Sequence, residues 1–170
     1  MLNITTKSIM EIKEKELPII SSDQLLAHWQ GHRQLTRRVI EAFPEDQLFS
    51  FSVGGMRPFS DLAKELLGIA VPGIKGMATD VWEPLDENME LNGSKSKLLE
   101  EWDKATGELD EWWSKIPLDH FQDTVVAFGQ YEDKVYCSIL YFIDNEIHHR
   151  AQGYVYLRAL GIAPPNFWER

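Results

Sequence analysis

Cysteine is almost absent from this chain of 170 residues: only Cys137 carries a thiol, so no intrachain disulfide can form and a reducing, cytoplasmic setting is expected. No apolar run approaches the roughly 20 residues needed to cross a bilayer, and the first ten residues contain no secretory hydrophobic core, so no membrane partner is expected. Basic clusters are scarce too. Against 27 acidic residues stand 17 Lys and Arg, giving a formal net charge of −10, and beyond short groups such as Arg37-Arg38 they are scattered. Such a surface repels phosphate backbones, which argues against a nucleic-acid partner. The sequence also lacks internal repeats, a phosphate-cradling glycine loop, a nucleophilic triad and a paired-carboxylate site.

What is there is helical periodicity. The length suits one domain, expected over residues 21–170 behind an N-terminal arm of residues 1–20 that ends at Leu17-Pro18. Ser21 and Gln24 have capping-box spacing, and Leu25, Trp29, His32, Thr36, Val39 and Phe43 follow at helical steps until Pro44. A turn around Gly54-Gly55-Met56-Arg57-Pro58 precedes a second helix, expected to begin at Asp61 with Ser60 as its N-cap and to be interrupted at Pro72-Gly73 before continuing toward Trp82. Ser94 or Ser96 caps a third helix with the stripe Leu98, Trp102, Ala105, Leu109, Trp112 and Ile116, closed by Pro117. Its tryptophans read as core or interface material. Thr124 to Gly129 has strand-like composition but no evident pairing partner, so it reads as an extended crossover. A fourth helix is expected from about Lys134 to Leu160, with Gly161 and Pro164-Pro165 ending it. Four such helices predict an all-α four-helix bundle.

The fourth helix carries the most informative pattern. Ile139, Phe142, Glu146, His149, Gly153, Tyr156 and Leu160 trace one stripe, with Asn145, His149 and Gln152 grouped on or beside it. Polar groups on a buried stripe need partners, because leaving one unsatisfied costs roughly 1–3 kcal/mol. A metal ion is one such partner. His28 and His32 are also four apart, but Trp29 between them points to a packed or surface pair. His148 is turned about 100° from His149 and belongs to packing or the surface. His120, after Pro117, is expected to face solvent. Arg150 and Arg158 either pair with carboxylates on neighbouring helices or reach an anionic group of a substrate.

His148-His149-Arg150-Ala151-Gln152-Gly153-Tyr154-Val155-Tyr156-Leu157-Arg158, with Leu160-Gly161 and Pro164-Pro165 beyond it, resembles the C-terminal signature of the DinB-like (DinB/YfiT) four-helix-bundle superfamily. Phe43-Pro44-Glu45-Asp46-Gln47-Leu48 and Gly55-Met56-Arg57-Pro58-Phe59 are supporting matches. The resemblance implies a bundle with a long crossover between helices two and three, commonly dimeric. It also implies a divalent metal on three histidines, one from helix two and a His-x-x-x-His pair from helix four. Characterised relatives include S-transferases and isomerases that use bacillithiol, mycothiol or glutathione, so a low-molecular-weight thiol cosubstrate and a small-molecule substrate are implied.

Carried onto this chain, the pattern places Glu65 at the helix-two position, Asn145 at the first position of the pair and His149 at the second. Only one histidine of three is kept. Oxygen donors with one imidazole suit Ni²⁺, Zn²⁺ or Mn²⁺, held weakly because Asn is a neutral ligand. The alternative is a non-catalytic binding or stress-associated bundle in which Glu65 accepts hydrogen bonds from Asn145 and His149 and the metal has been lost. Aromatic residues in the bundle seams, together with the resemblance, lead us to expect a homodimer. Sedimentation at micromolar concentration should give about twice the 19.6 kDa of one chain, and a purely monomeric species would contradict the expectation.

Overall fold

The computed structural model describes residues 19–85 and 89–170; the N-terminal arm before Ile19 lies outside them. Four long helices dominate: α1 (Ser22–Ala42), α3 (Phe59–Thr79), α4 (Lys95–Trp113) and α5 (Val135–Ala159), with a short α2 (Glu45–Ser50) after the first. The expected capping box opens α1, the Gln24 amide donating to Ser21 Oγ at 3.1 Å and the Ser21 amide to Gln24 Oε1 at 2.9 Å. Ser94 caps α4 by accepting from the Lys97 amide at 3.3 Å.

Three local expectations are corrected. The helix α3 begins at Phe59 with Pro58 in the N-cap position, while Ser60 is buried and its hydroxyl makes no capping bond. Proline pre-sets the backbone angle a helix start requires, so no side-chain cap is needed to begin there. Nor does Pro72 interrupt the helix. Ala70, Gly73, Ile74 and Met77 are buried around it, and their packing outweighs the roughly 3 kcal/mol an interior proline costs. The helix stops instead at Asp80, which adopts a left-handed conformation (φ 57°), two residues short of the tryptophan at 82. Finally, Thr124–Ala127 is a strand, β1, paired antiparallel with β2 (Tyr131–Lys134), Val125 opposite Asp133. The turn between them holds both Phe128 (φ 54°) and Gly129 (φ 68°) in left-handed conformations.

Helix directions follow from the contacts. Trp113 Nε1 donates to Ser22 Oγ (2.9 Å) at one end of the α1–α4 pair, and Lys95 Nζ to the Phe43 carbonyl (2.8 Å) at the other, so these helices are antiparallel. α3 and α4 run parallel, since Lys75 lies over the Trp112 ring at one end while Leu62 and Leu66 share a core cluster with Leu98 and Trp102 at the other. Parallel neighbours require the chain between them to return along the bundle, which is the long crossover between α3 and α4. α3 and α5 are antiparallel and close. The Phe59 ring lies where a Cβ at Gly153 would be, 2.5 Å away, and the Phe142 ring stands in the same relation to Gly73.

Two apolar clusters fill the bundle, one around Trp29, Ile74 and Phe142, the other around Phe43, Phe59 and Trp102. Between them lies a polar layer. Glu146, 1% exposed, accepts from Thr36 Oγ1 at 2.6 Å and Trp29 Nε1 at 3.1 Å, and its oxygens lie 3.8 Å from Arg33 and 3.9 Å from Arg150. Arg33 stacks on Trp102 at 3.7 Å. Arg150 donates to Thr36 Oγ1 (3.1 Å) and to His32 Nδ1 (2.9 Å). Burial, reinforced by Arg150, His28 and Arg170, pushes the His32 pKa down to about 3, so this imidazole is neutral and its Nδ1 is free to accept. The remaining expectations sort as follows: His148 is exposed, Trp102 and Trp113 are buried, and Trp112 is half-buried beneath Lys115. His120 is corrected to half-buried, its Nδ1 3.0 Å from Asp123 and its other nitrogen out of solvent, because the short helical turn Asp119–Gln122 folds it inward.

Replacing Glu146 by Gln leaves Arg33 and Arg150 buried without a counter-charge, and should lower the unfolding free energy by about 3–5 kcal/mol in urea titrations, against less than about 0.5 kcal/mol for a conservative change at exposed Val155.

Candidate metal centre and cleft

Glu65, Asn145 and His149 are brought together. Glu65 faces α5 from the middle of α3, and Asn145 and His149 stand one turn apart on α5. Glu65 Oε1 lies 2.9 Å from His149 Nε2 and 3.3 Å from Asn145 Nδ2. Its other oxygen, Oε2, is held by the Arg57 guanidinium, from the turn before α3. The Arg57 backbone is itself fixed by the Tyr156 hydroxyl, which donates to its carbonyl at 3.0 Å.

Burial alone would raise the Glu65 pKa. Hydrogen bonds from Arg57, His149 and Asn145 outweigh it and hold the carboxyl below its ordinary value of 4.5.

On the other side of the imidazole, His149 Nδ1 is 3.3 Å from Gln152 Oε1, and Gln152 Nε2 is 3.0 Å from His148 Nε2. His149 Nε2 donates to Glu65 Oε1 at 2.9 Å, the bond that helps hold the carboxyl pKa down, and the longer 3.3 Å contact places Gln152 Oε1 behind the other ring nitrogen. A divalent ion taking the place of that proton would need the pair to part slightly, since ligand atoms about 2.1 Å from a metal at angles near 90–110° are roughly 3.0–3.4 Å apart. The donor chemistry therefore fits a metal, provided Asn145 turns its Oδ1 rather than its NH₂ toward the ion. Arg57 opposes tight binding by already compensating the carboxylate.

Glu65 also lines a cleft of about 620 Å³ between α3, the β-hairpin and α5. Ile69, Phe128 and Phe142 give its apolar wall, while Cys137, Ser138 and Tyr141 present a thiol and hydroxyls from the first turns of α5. The chain from Cys137 through Tyr141 and Asn145 to His149 advances in steps of four, so one face of α5 carries both cleft and cluster. Sequence reasoning did not find Arg57, Ser138 or the hairpin as parts of this site. The four-residue spacing from Cys137 to His149 was the available signal for the cleft, whereas nothing local in the sequence pairs Arg57 with Glu65.

The class of protein is thus an all-α four-helix bundle with a polar cluster built from side chains on facing helices beside a lined cleft. The profile of the DinB family matches residues 10–170, and the chain belongs to that family. Two solved structures share the fold. A DinB-like protein from Bacillus cereus ATCC 10987 superposes with a TM-score of 0.70 at 16% identity, covering 86% of this chain and 97% of that one. For a DinB-like protein from Bacillus subtilis the values are 0.70, 15%, 86% and 99%. No curated protein sequence matches the chain.

The depressed Glu65 pKa has a definite sign. Its stabilisation is fully present above the unfolded-state value near 4.5 and is lost as pH falls through the lower folded value. Glu65→Gln should therefore cost about 1–2 kcal/mol at pH 7 and flatten the acid limb of stability, as read by urea denaturation at successive pH values.

Proposed function

We propose that this protein is a divalent-metal-dependent enzyme of the thiol S-transferase type, acting on a small molecule in the cleft, with Glu65, Asn145 and His149 as its metal ligands. The observation that carries the reading is the meeting of Glu65, Asn145 and His149 from facing helices, with Glu65 Oε1 2.9 Å from His149 Nε2 and 3.3 Å from Asn145 Nδ2, and with Gln152 behind the imidazole. Ni²⁺, Zn²⁺ and Mn²⁺ suit two oxygen donors and one imidazole. A bound ion would supply Lewis acidity that lowers the pKa of a coordinated thiol or water.

The chain's own residues do the rest. Gln152 Oε1, 3.3 Å from His149 Nδ1, would accept a hydrogen bond from that nitrogen once Nε2 is given to an ion, and Arg57 fixes the orientation of Glu65. Phe128, Phe142 and Ile69 exclude water from the inner cleft, where a low-molecular-weight thiol and its electrophilic partner would meet. Ser138, nine-tenths buried on the wall, offers a hydroxyl to a bound substrate.

A second reading is favoured by Arg57: because its guanidinium already neutralises Glu65, the cluster is stable without a metal, as a non-catalytic binding bundle would require. Calorimetry with Ni²⁺, Zn²⁺ and Mn²⁺ separates the two. Weak binding is expected in the natural protein, lost in His149→Ala, kept in His148→Ala, and tightened by about tenfold or more in Asn145→His, which restores two imidazoles one turn apart. Equal affinity in the natural protein and His149→Ala would overturn the metal reading and leave the binding bundle.

A further inference from the structure

A different face of α5 carries a second cavity, of about 470 Å³, closed by the C-terminal tail. Arg150, Tyr154 and Arg158 form its α5 wall, and Pro165, Phe167 and Trp168 the opposing one. The tail is folded back rather than trailing. The Ile162 amide donates to the Leu157 carbonyl at 2.8 Å as the chain turns through Gly161 (φ 76°). Glu169 lies 3.7 Å from Arg38 on α1, and the Arg170 side chain packs over Gly31 of the same helix, its Cβ 3.2 Å from where a Cβ there would stand. Both walls of the cavity are thereby anchored to the bundle.

Three features of this cavity are unexplained by folding alone. The Tyr154 hydroxyl is out of solvent contact and has no hydrogen-bond partner among the described residues, a cost of roughly 1–3 kcal/mol. Burial raises its pKa despite the nearby Arg150, Arg38 and Arg158, so it remains an O–H donor.

Second, in a chain of net charge −10 this corner gathers arginines. Glu146 faces Arg150 and Glu169 faces Arg38, whereas Arg158 meets no carboxylate within ion-pair distance among the described residues and lies 5.8 Å from the Tyr154 ring. Third, Phe167 and Trp168 pack edge to face at 5.1 Å yet are 68% and 64% exposed at the rim. Large exposed aromatics beside an uncompensated guanidinium are the parts from which a site for an anion with an apolar body is made.

We propose that this cavity is a second ligand site, for a small aromatic carboxylate whose anionic head meets Arg158 and the Tyr154 hydroxyl while its ring lies against Phe167 and Trp168. It is separate from the Glu65 cleft and does not rest on the metal reading. The test uses the full chain and benzoate as probe, with benzamide as its neutral isostere, titrated by calorimetry at low ionic strength. Benzoate should bind saturably and at least tenfold more tightly than benzamide, and exposed Arg158→Gln and the near-isosteric Tyr154→Phe should each weaken it at least fivefold, the first with unchanged melting temperature and the second with a raised one. Trp168→Ala should weaken both probes equally, since it removes the ring contact and not the charge contact. Equal affinity for benzoate and benzamide, or for the natural protein and Arg158→Gln, would overturn the proposal. So would a Trp168→Ala variant that changes sedimentation but not benzoate affinity, which would make the rim a subunit contact.

Discussion

The architecture depends on one buried carboxylate. Glu146 projects from α5 into the layer between the two apolar clusters, where Thr36, Trp29, Arg33 and Arg150 converge on it from α1 and from α5 itself. A desolvated ion is tolerated only where its charge and lone pairs are answered, so α5 can settle against α1 in very few registers. That choice decides more than packing. Asn145 precedes Glu146 and His149 follows it by three, so fixing one side of α5 against α1 presents the other side to Glu65 on α3. The polar layer and the candidate metal centre are two faces of the same helix, the first indexing the second.

Much of this was written locally in the chain. The Ser21–Gln24 capping box, the stripe from Ile139 to Tyr156 and the terminating Gly161 are short-range patterns with short-range causes, and each is found where the spacing placed it. The inward orientation of His149, and its meeting with Asn145 and Glu65, followed from spacing joined to the family resemblance. The β-hairpin escaped notice because β2 is exposed along its whole length and carries no alternation of apolar and polar residues. Its turn also breaks the usual rule, with a phenylalanine in a left-handed conformation that its ring contacts with Trp82 and Phe142 hold in place. Arg57 was illegible for another reason: an arginine in a glycine-rich turn gives no local sign of the carboxylate it will meet on the next helix. The start of α3 was misplaced by preferring the serine cap over the proline beside it, and Pro72 by weighing propensity above tertiary packing.

The reciprocal seating of rings on glycines between α3 and α5 has a consequence for any ion held there. Phe59 fills the space beside Gly153, and Phe142 fills the space beside Gly73, so the two helices are pinned at both ends of the stretch that carries the polar cluster. Close-packed aromatic rings against backbone have little room to yield. The spacing of the helices that carry Glu65 and His149 is therefore imposed by two distant contacts, as the span of a caliper is set by its screw. An ion bound there as proposed would be selected by its radius, and that preference would be retuned from either end of the bundle without touching a ligand.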